Sequence, residues 1–220
     1  MFVPLARYTA SARQERAFAC SKAQHSRRVS MSTGKTVLYS APNSRGAMVE
    51  WYIRSIKAPV EVVNLDMGKG EHKSPEFLRV NPFGKVPALE ETGPEPWSLN
   101  ESGAILYYLA EKYDRNFPKD AHQRAQILQW ILFANATLAQ TAFMESLREK
   151  QLPGLLAALD QHFSKHTFAV GETFTVADVA LGSYLGYIPM FFPGKVDMTP
   201  YSHLNAYMER VKERQAAASA

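Results

Sequence analysis

The chain has 220 residues, of which 46% are apolar and 21% are charged, and this composition is typical of a globular protein with one large or two small domains. Residues 1–35 hold seven of the 25 lysines and arginines but only one of the 21 acids. The rest of the chain is therefore slightly acidic despite a pI near 9.1, which argues against a nucleic-acid partner, and no apolar run is long enough to predict a membrane span.

Residues 1–34 form a leader that is rich in Arg, Ser and Ala and has almost no acidic residues. Such a composition without a long hydrophobic segment is typical of an organelle transit peptide and not of a secretory signal, although a plain disordered extension remains an alternative. We expect a chloroplast protein, with the mitochondrion or the cytoplasm as alternatives. Cys20, the only cysteine, lies in this leader, so the rest of the chain has no thiol of its own.

The next segment predicts a strand, a helix and a second strand. Residues 36–40 indicate a short buried strand, and residues 60–66 indicate another. Between them, apolar residues at helical spacing predict a helix that ends before Pro59: Val49, Tyr52, Ile53 and Ile56. A connection of this kind joins parallel strands with a right-handed crossover.

Residues 81–106 begin with a bend. Ser74 and Pro75 start a short helix that ends near Val80, and the sequence Asn-Pro-Phe-Gly-Lys-Val-Pro-Ala-Leu follows. Pro87 lies inside the predicted third strand, residues 86–90, although it lacks an N–H for strand pairing. A cis Val86–Pro87 peptide at a sharp bend would satisfy this sequence.

A fourth strand is predicted at residues 96–99, and a helix at residues 102–113. The start of that helix, with the Ser102 hydroxyl beside free backbone N–H groups, is a natural anion site. The order of two parallel strands around a helix, then two strands and a helix, with a proline before the third strand, is the thioredoxin-like arrangement. We therefore predict a thioredoxin-like domain at residues 35–114, followed by a linker at residues 115–120.

Residues 121–220 are predicted to form an all-helical domain. Apolar periodicity marks one helix from Ile127 to Leu138 and another from Leu152 to Phe163. Thr175 and Asp178 form a capping-box pattern at the start of a third helix, and a last helix covers about residues 200–214. His162 and His166 are four residues apart, but no third ligand accompanies them, so we expect no metal site.

These patterns resemble the soluble glutathione transferases over residues 36–214. The motifs at 81–89, at Glu101-Ser102-Gly-Ala-Ile and at Thr175-Val-Ala-Asp178 occur in the family's order and spacing. Leu38-Tyr-Ser-Ala-Pro-Asn-Ser-Arg45 and Trp130-Ile-Leu-Phe-Ala-Asn-Ala136 resemble the chi class of cyanobacteria. His72-Lys73 is similar to the phi class of plants.

The resemblance implies that glutathione is the cosubstrate, with no metal. Glu101 would bind the ammonium of the γ-glutamyl group, and Ser102 with its amide would bind the carboxylate. The backbone of Val86, oriented by Pro87, would pair with the cysteinyl amide, as an added strand does. The candidates for binding the glycyl carboxylate are His72, Lys73 and Lys85, although the two lysines could equally be solvated.

A hydroxyl just after the first strand activates the thiol in much of the family. Four residues are candidates for this catalytic role, in the order Ser44, Arg45, Tyr39 and Ser40. A hydroxyl donor together with the positive end of the first helix would stabilise the thiolate. Serine is also a common helix cap, and one hydroxyl could have both roles.

The resemblance implies an enzyme that conjugates glutathione to small hydrophobic electrophiles in detoxification and stress response, with some hydroperoxide reduction. A non-catalytic glutathione-binding or scaffold protein is the alternative. Glutaredoxin-like reduction and dehydroascorbate recycling use a cysteine in the family, so we expect neither. Phe83 favours a homodimer, and six residues are candidates for an open electrophile site: Phe133, Met144, Tyr184, Tyr187, Met190 and Phe191.

Overall fold

The computed structural model describes residues 34–218. The transit-peptide interpretation, which concerns residues 1–34, falls outside this range except for its last residue. Across the described range, no helix combines the length and the apolar character that crossing a membrane requires.

The first part of the described chain alternates strands and helices. In order it contains β1 (Thr36–Ser40), α1 (Gly46–Ser55), β2 (Val60–Asn64), a 3-10 turn (Glu71–Lys73), α2 (Pro75–Val80), β3 (Ala88–Glu91), β4 (Trp97–Asn100) and α3 (Ser102–Tyr113). The strands lie in the order β2-β1-β3-β4. β1 is parallel to β2, and β3 is antiparallel to both β1 and β4, which is the predicted thioredoxin-like arrangement.

Every regular element after α3 is helical. The elements are α4 (Ala121–Leu132), a π-helical segment (Phe133–Leu138), α5 (Ala139–Phe143), α6 (Glu145–Phe163), α7 (Val176–Phe191) and α8 (Ser202–Ala217). A thioredoxin-like sheet followed by an all-helical part confirms the predicted fold class. The predicted linker lies in a stretch without helix or strand between α3 and α4.

Some boundaries differ from the sequence prediction. The predicted cis peptide between Val86 and Pro87 is present, but β3 begins only at Ala88, because proline has no N–H to pair with a neighbouring strand. α6 begins at Glu145, so the region before Leu152 is the first part of this helix. The helix predicted to end at Leu138 continues through the π-helical segment and α5 to Phe143.

One continuous apolar core joins the sheet to the helical part. It contains Leu38 from β1, Ile105 from α3 and Leu185 from α7, all fully buried. Burial of each such side chain contributes about 1.5–3 kcal/mol. α1 and α3 both contact α7, so these two helices pack against the helical part.

Asp178 ties the start of α7 to its surroundings. Its carboxylate accepts hydrogen bonds from the backbone N–H of Thr175 at 2.8 Å and of Ala169 at 2.7 Å, and from the Tyr207 hydroxyl at 3.1 Å. Thr175 in turn accepts a bond from Ala177 N–H, which completes the predicted capping box. Burial raises the pKa of Asp178 to about 6, although its hydrogen bonds oppose the shift.

Candidate functional site

A cavity of about 250 Å³ lies where three separate segments of the chain meet. The segments are the start of α1, the loop between α2 and β3, and the junction of β4 with α3. The lining residues are Arg45, Asn81, Phe83, Lys85, Val86, Pro87, Asn100, Glu101 and Ser102. Six residues that the sequence predicted for catalysis or glutathione binding are thus brought together at one place: Arg45, Lys85, Val86, Pro87, Glu101 and Ser102.

Asn81 shapes the loop between α2 and β3. Its side-chain amide donates to the Lys85 carbonyl at 2.7 Å, and its side-chain oxygen accepts from Phe83 N–H at 3.2 Å. Its carbonyl accepts from Gly84 N–H at 2.9 Å. This turn presents Val86, whose own N–H and carbonyl have no hydrogen-bond partner among residues 34–218, so both groups can pair with an extended ligand.

The junction of β4 and α3 places two predicted residues at the positive end of a helix. Glu101 is exposed and has a φ of 71°, a backbone conformation that is uncommon outside glycine and is often found at functional sites. Ser102 is only 2% exposed. The first N–H groups of α3 have no carbonyl partner within the helix, which makes this end suitable for an anion.

The start of α1 contains the two leading candidates for thiol activation. The Ser44 hydroxyl accepts a hydrogen bond from Gly46 N–H at 3.0 Å, so its own proton remains available for a ligand. Arg45 is exposed and lines the cavity. A hydroxyl donor, a guanidinium and a helix end therefore lie within one short segment.

Of the four candidates for thiol activation, Arg45 lines the cavity and Ser44 lies next to it in the chain, whereas Tyr39 and Ser40 have partners elsewhere in the protein. The Tyr39 ring packs against Phe77 of α2, and its hydroxyl donates to Glu90 at 2.9 Å. Burial, with the nearby Glu90 carboxylate, raises the pKa of Tyr39 to about 12. Ser40 is fully buried and donates to Glu50 at 2.5 Å. Both hydroxyl protons are therefore already bound within the protein.

His72 and Lys73, which were candidates for the glycyl carboxylate, do not line the cavity. The Lys73 ammonium donates to the carbonyls of Phe83 at 3.4 Å and Gly84 at 3.2 Å. Its hydrogen bonds therefore stabilise the loop between α2 and β3. The Nδ1 atom of His72 is buried without a partner within the described range. Lys85 alone among these three candidates reaches the cavity.

Residues 34–111 match the family Glutathione S-transferase, N-terminal domain, and residues 120–210 match Glutathione S-transferase, C-terminal domain. A delta-class glutathione transferase from Nilaparvata lugens is 30% identical, with a TM-score of 0.71 over 81% of this chain and 88% of that chain. The chain belongs to the glutathione S-transferase family.

Two further proteins are similar to this chain over most of its length. Disulfide-bond oxidoreductase YfcG from Escherichia coli (strain K12) is 28% identical over 202 residues, which are 83% of this chain and 93% of that protein. A glutathione transferase family member from Pseudomonas fluorescens pf-5, solved with two glutathione bound, is 25% identical with a TM-score of 0.71, over 82% and 92% of the two chains.

A row of aromatic residues runs along α7 of this glutathione S-transferase, and its first member, Tyr184, contacts the guanidinium of Arg45. The ring centre of Tyr184 lies 5.8 Å from that of Tyr187, which lies 5.8 Å from that of Phe191. Phe143 of α5 follows at 5.7 Å from Phe191. Phe191, Met144 and Met190 are largely exposed, so part of the predicted electrophile-binding set forms an open apolar surface.

Asn135 does not line the cavity, but it contacts Ser102, which does, and the motif that contains Asn135 did not predict this contact. It lies in the π-helical segment, and its side-chain oxygen accepts a hydrogen bond from the Ser102 hydroxyl at 2.8 Å. Ile127, Ile131 and Asn135 are spaced four residues apart and so lie on one face of the helix. Asn135 is the polar residue in this otherwise apolar series. That irregularity could have indicated a functional position.

His162 and His166 lie side by side, with ring centres 4.6 Å apart. A ring nitrogen of His162 bonds to the Ala169 carbonyl at 3.2 Å. Burial and the neighbouring His166 lower the pKa of His162. Between Gly34 and Ala218, no cluster of three or more His, Cys, Asp or Glu residues is placed to hold a metal ion.

Proposed function

We propose that this glutathione S-transferase holds glutathione in the 250 Å³ cavity and adds its thiolate to small hydrophobic electrophiles. The observation that carries this proposal is the meeting of Arg45, Val86 and Ser102, from three separate segments, beside the open aromatic row. A charged tripeptide requires hydrogen-bond donors and a cation for its carboxylates, and unpaired backbone groups for its peptide bonds.

Each part of glutathione has a proposed partner. The γ-glutamyl carboxylate binds the N–H groups at the start of α3, and Glu101 binds the ammonium. The backbone of Val86 pairs with the cysteinyl amide, and Lys85 binds the glycyl carboxylate. This arrangement directs the thiol towards the start of α1.

Thiol ionisation is the main energetic requirement. A free thiol has a pKa of about 8.5, and lowering it by about two units requires about 2.7 kcal/mol of preferential stabilisation of the thiolate. The Ser44 hydroxyl, the N-terminus of α1 and the Arg45 guanidinium together supply a donor and positive charge for this purpose.

The proposed reaction forms a carbon–sulfur bond. With an aryl chloride, the thiolate sulfur attacks the ring carbon that carries chlorine, and chloride leaves with its electron pair.

Reduction of a hydroperoxide would use the same thiolate. The thiolate attacks the outer oxygen, and the alkoxide that leaves takes a proton. The resulting sulfenic acid then reacts with a second glutathione to give glutathione disulfide and water.

Turnover of 1-chloro-2,4-dinitrobenzene with glutathione tests this proposal against the non-catalytic alternative. We expect a rate well above the buffer background, lowered at least tenfold by Ser44→Ala. Binding of glutathione, measured by calorimetry, is the control. A protein that binds glutathione but gives no rate above background would be a binding or scaffold protein and not a transferase.

A second candidate is glutathione-dependent disulfide reduction, and the name of the relative YfcG favours it. The described residues contain no cysteine, so both electrons come from two glutathione molecules. One thiolate attacks a disulfide and releases a thiolate, and a second glutathione then releases the other half and forms glutathione disulfide. The sequence predicts no reduction that uses a cysteine of the protein. The present reaction is a different one, because its thiols belong to glutathione.

Reduction of bis(2-hydroxyethyl) disulfide separates the two candidates when it is coupled to glutathione reductase and NADPH oxidation. A rate for the disulfide with none for the aryl chloride would favour the oxidoreductase. The opposite result would favour conjugation.

We further propose that the protein is a chi-class, homodimeric transferase of the chloroplast. The motifs around Arg45 and Asn135 support the class, and the leader composition supports the organelle. Phe83 is 68% exposed and Leu132 is 57% exposed, which suits an apolar contact between subunits. Sedimentation should give a dimer for the wild type and a larger monomer fraction for Phe83→Ser.

A further inference from the structure

Arg148, in the first turn of α6, is the only lysine or arginine among residues 34–218 whose side chain is buried. A buried charge is unstable unless it is paired or hydrogen-bonded. Its carboxylate partner, Glu145, lies at 3.8 Å and is 74% exposed, and such a solvated pair contributes little. Other contacts therefore hold the Arg148 guanidinium in the interior.

The guanidinium of Arg148 contacts the ends of two other helices. Its Nη1 atom donates a hydrogen bond to the Ala142 carbonyl at 3.0 Å. This carbonyl lies in the last turn of α5, where the helix itself supplies no partner, and arginine is a common donor to such carbonyls. The guanidinium carbon also lies 4.0 Å from the ring centre of Phe192, the residue that follows α7, which is a close cation–π contact.

These two helix ends carry the outer part of the aromatic row. Phe143 follows Ala142 in the chain, and Phe191 precedes Phe192. The ring centre of Phe143 lies 5.7 Å from that of Phe191 and 5.4 Å from that of Phe192. Phe143 is 42% exposed and Phe191 is 47% exposed. The two rings therefore form an apolar face that is open to a ligand, and Arg148 contacts the chain next to both of them.

The aromatic row thus has an arginine at each end, but the two arginines differ in exposure. Arg45 contacts Tyr184, is exposed and lines the 250 Å³ cavity. Arg148 is buried and does not line that cavity. Its guanidinium can act on a ligand only through the rings that it positions. A planar group that donates to a carbonyl and lies over a ring holds the two in one arrangement.

We propose that Arg148 is a positioning residue that holds Phe143 and Phe191 as one apolar face, which makes the electrophile site selective for ligands with an aromatic ring far from the sulfur. This inference rests on the proposed conjugation of glutathione. A ring that packs on a fixed face binds more tightly than one that first has to order its partners.

The test compares two product analogues by calorimetry: S-benzylglutathione and S-(4-phenylbenzyl)glutathione, which has one more ring at its far end. The wild type should bind the longer analogue about tenfold more tightly, the gain expected from an added aromatic contact. Arg148→Met keeps an apolar side chain but loses the charge and the donor, so this preference should fall below about threefold. A preference above about threefold in Arg148→Met, or below it in the wild type, would overturn the proposal.

Arg148→Lys provides a decision if Arg148→Met does not fold. It keeps the positive charge and a donor, but a compact ammonium cannot bond to the Ala142 carbonyl and lie over the Phe192 ring together. Its preference for the longer analogue should also fall below about threefold. A preference equal to that of the wild type would contradict the proposed role.

Two further variants separate positioning from a general loss of stability, which would weaken both analogues equally. Arg210→Met is the matched control, because Arg210 also donates to a backbone carbonyl, that of Thr167 at 3.0 Å, in the loop before α7. It should keep the wild-type preference. Phe192→Leu should lower the preference, and adding Arg148→Met to it should cause no further loss. A lowered preference in Arg210→Met, or additive losses in the double variant, would count against the proposal.

The outcome also shows whether this inference or the proposed function fails. Equal binding of the two analogues by the wild type would defeat the inference alone. Binding with the expected preferences but no turnover of the aryl chloride would defeat the proposed reaction and leave the Arg148 result standing. Failure of the wild type to bind either analogue would defeat both.

Discussion

The guanidinium carbon of Arg45 lies 5.5 Å from the centre of the Tyr184 ring. This cation–π contact joins the start of α1 to α7 and holds a positive charge at the edge of the cavity. Arg45 also partly offsets the effect of burial, which raises the pKa of Tyr184. The Arg45 charge and the neighbouring Ser44 hydroxyl are the two groups that we propose activate the thiol.

Ser44→Ala should raise the pKa of the bound glutathione thiol by about one unit, and Arg45→Ala by a smaller amount, since Arg45 is exposed and solvent screens its charge. Ultraviolet absorbance of the thiolate as a function of pH measures both. An unchanged thiol pKa in Ser44→Ala with a large shift in Arg45→Ala would reverse the assignment. Tyr39→Phe is the control and should leave the thiol pKa unchanged, because its hydroxyl bonds to Glu90.

Gly84 should not tolerate a side chain. Its φ is 58°, and an added Cβ would lie 2.8 Å from the His72 carbonyl oxygen and 2.7 Å from the Lys73 ammonium. We expect Gly84→Ala to lower the free energy of unfolding by about 2–3 kcal/mol and to weaken glutathione binding.

Gly70→Ala is the matched control for Gly84→Ala in urea denaturation. Gly70 has a φ of 75° but nothing within 4 Å of an added Cβ, so only the backbone effect of about 1 kcal/mol is expected. Equal losses in the two variants would show that the close approach of the loop to Lys73 has no energetic importance.

Lys73 and Lys85 should respond differently to replacement by alanine. Lys73→Ala removes two hydrogen bonds to loop carbonyls, so it should lower the melting temperature without ligand as well as the glutathione affinity. Lys85→Ala should leave the melting temperature unchanged and weaken binding about threefold at low salt, with a smaller effect at high salt. Calorimetry and thermal unfolding at two salt concentrations provide the comparison, and an inverse pattern would exchange the roles.

Asp178 should give the stability a characteristic pH dependence. Its folded pKa of about 6 lies above the value near 3.9 expected in the unfolded chain. The folded state therefore takes up a proton first as the pH falls, and stability increases between about pH 7 and pH 4 by up to about 3 kcal/mol.

Asp178→Asn lacks this titration, so the difference in free energy of unfolding between the wild type and this variant should grow as the pH falls. The hydrogen bonds that Asp178→Asn loses change this difference by the same amount at every pH. Asp66 and Asp197, whose hydrogen bonds lower their pKa values, occur in both proteins and cancel. A difference that is constant from pH 7 to pH 4 would contradict the shifted pKa.

The fold could be predicted because local patterns and global arrangement agree. Helical periodicity, the capping box and the proline before β3 each indicated the correct element. The side chains of Lys73 and Ser102 could not be placed in this way, since their partners lie in other elements. Alternation of side chains along β1 predicts that Tyr39 lies on the opposite face from Leu38 and Ser40. It does not predict which of the two faces is nearer the cavity.

The hydrogen bond between Ser102 and Asn135 also limits how parts of this protein can be exchanged. A chimera that kept residues 34–114 but received the helical part of another family member would keep the loop, Val86 and the α3 helix end. Unless the donor protein had an amide at the position of Asn135, the Ser102 proton would lose its acceptor. Exchange of segments between family members should therefore succeed most often when residues 133–138 are transferred together with α3.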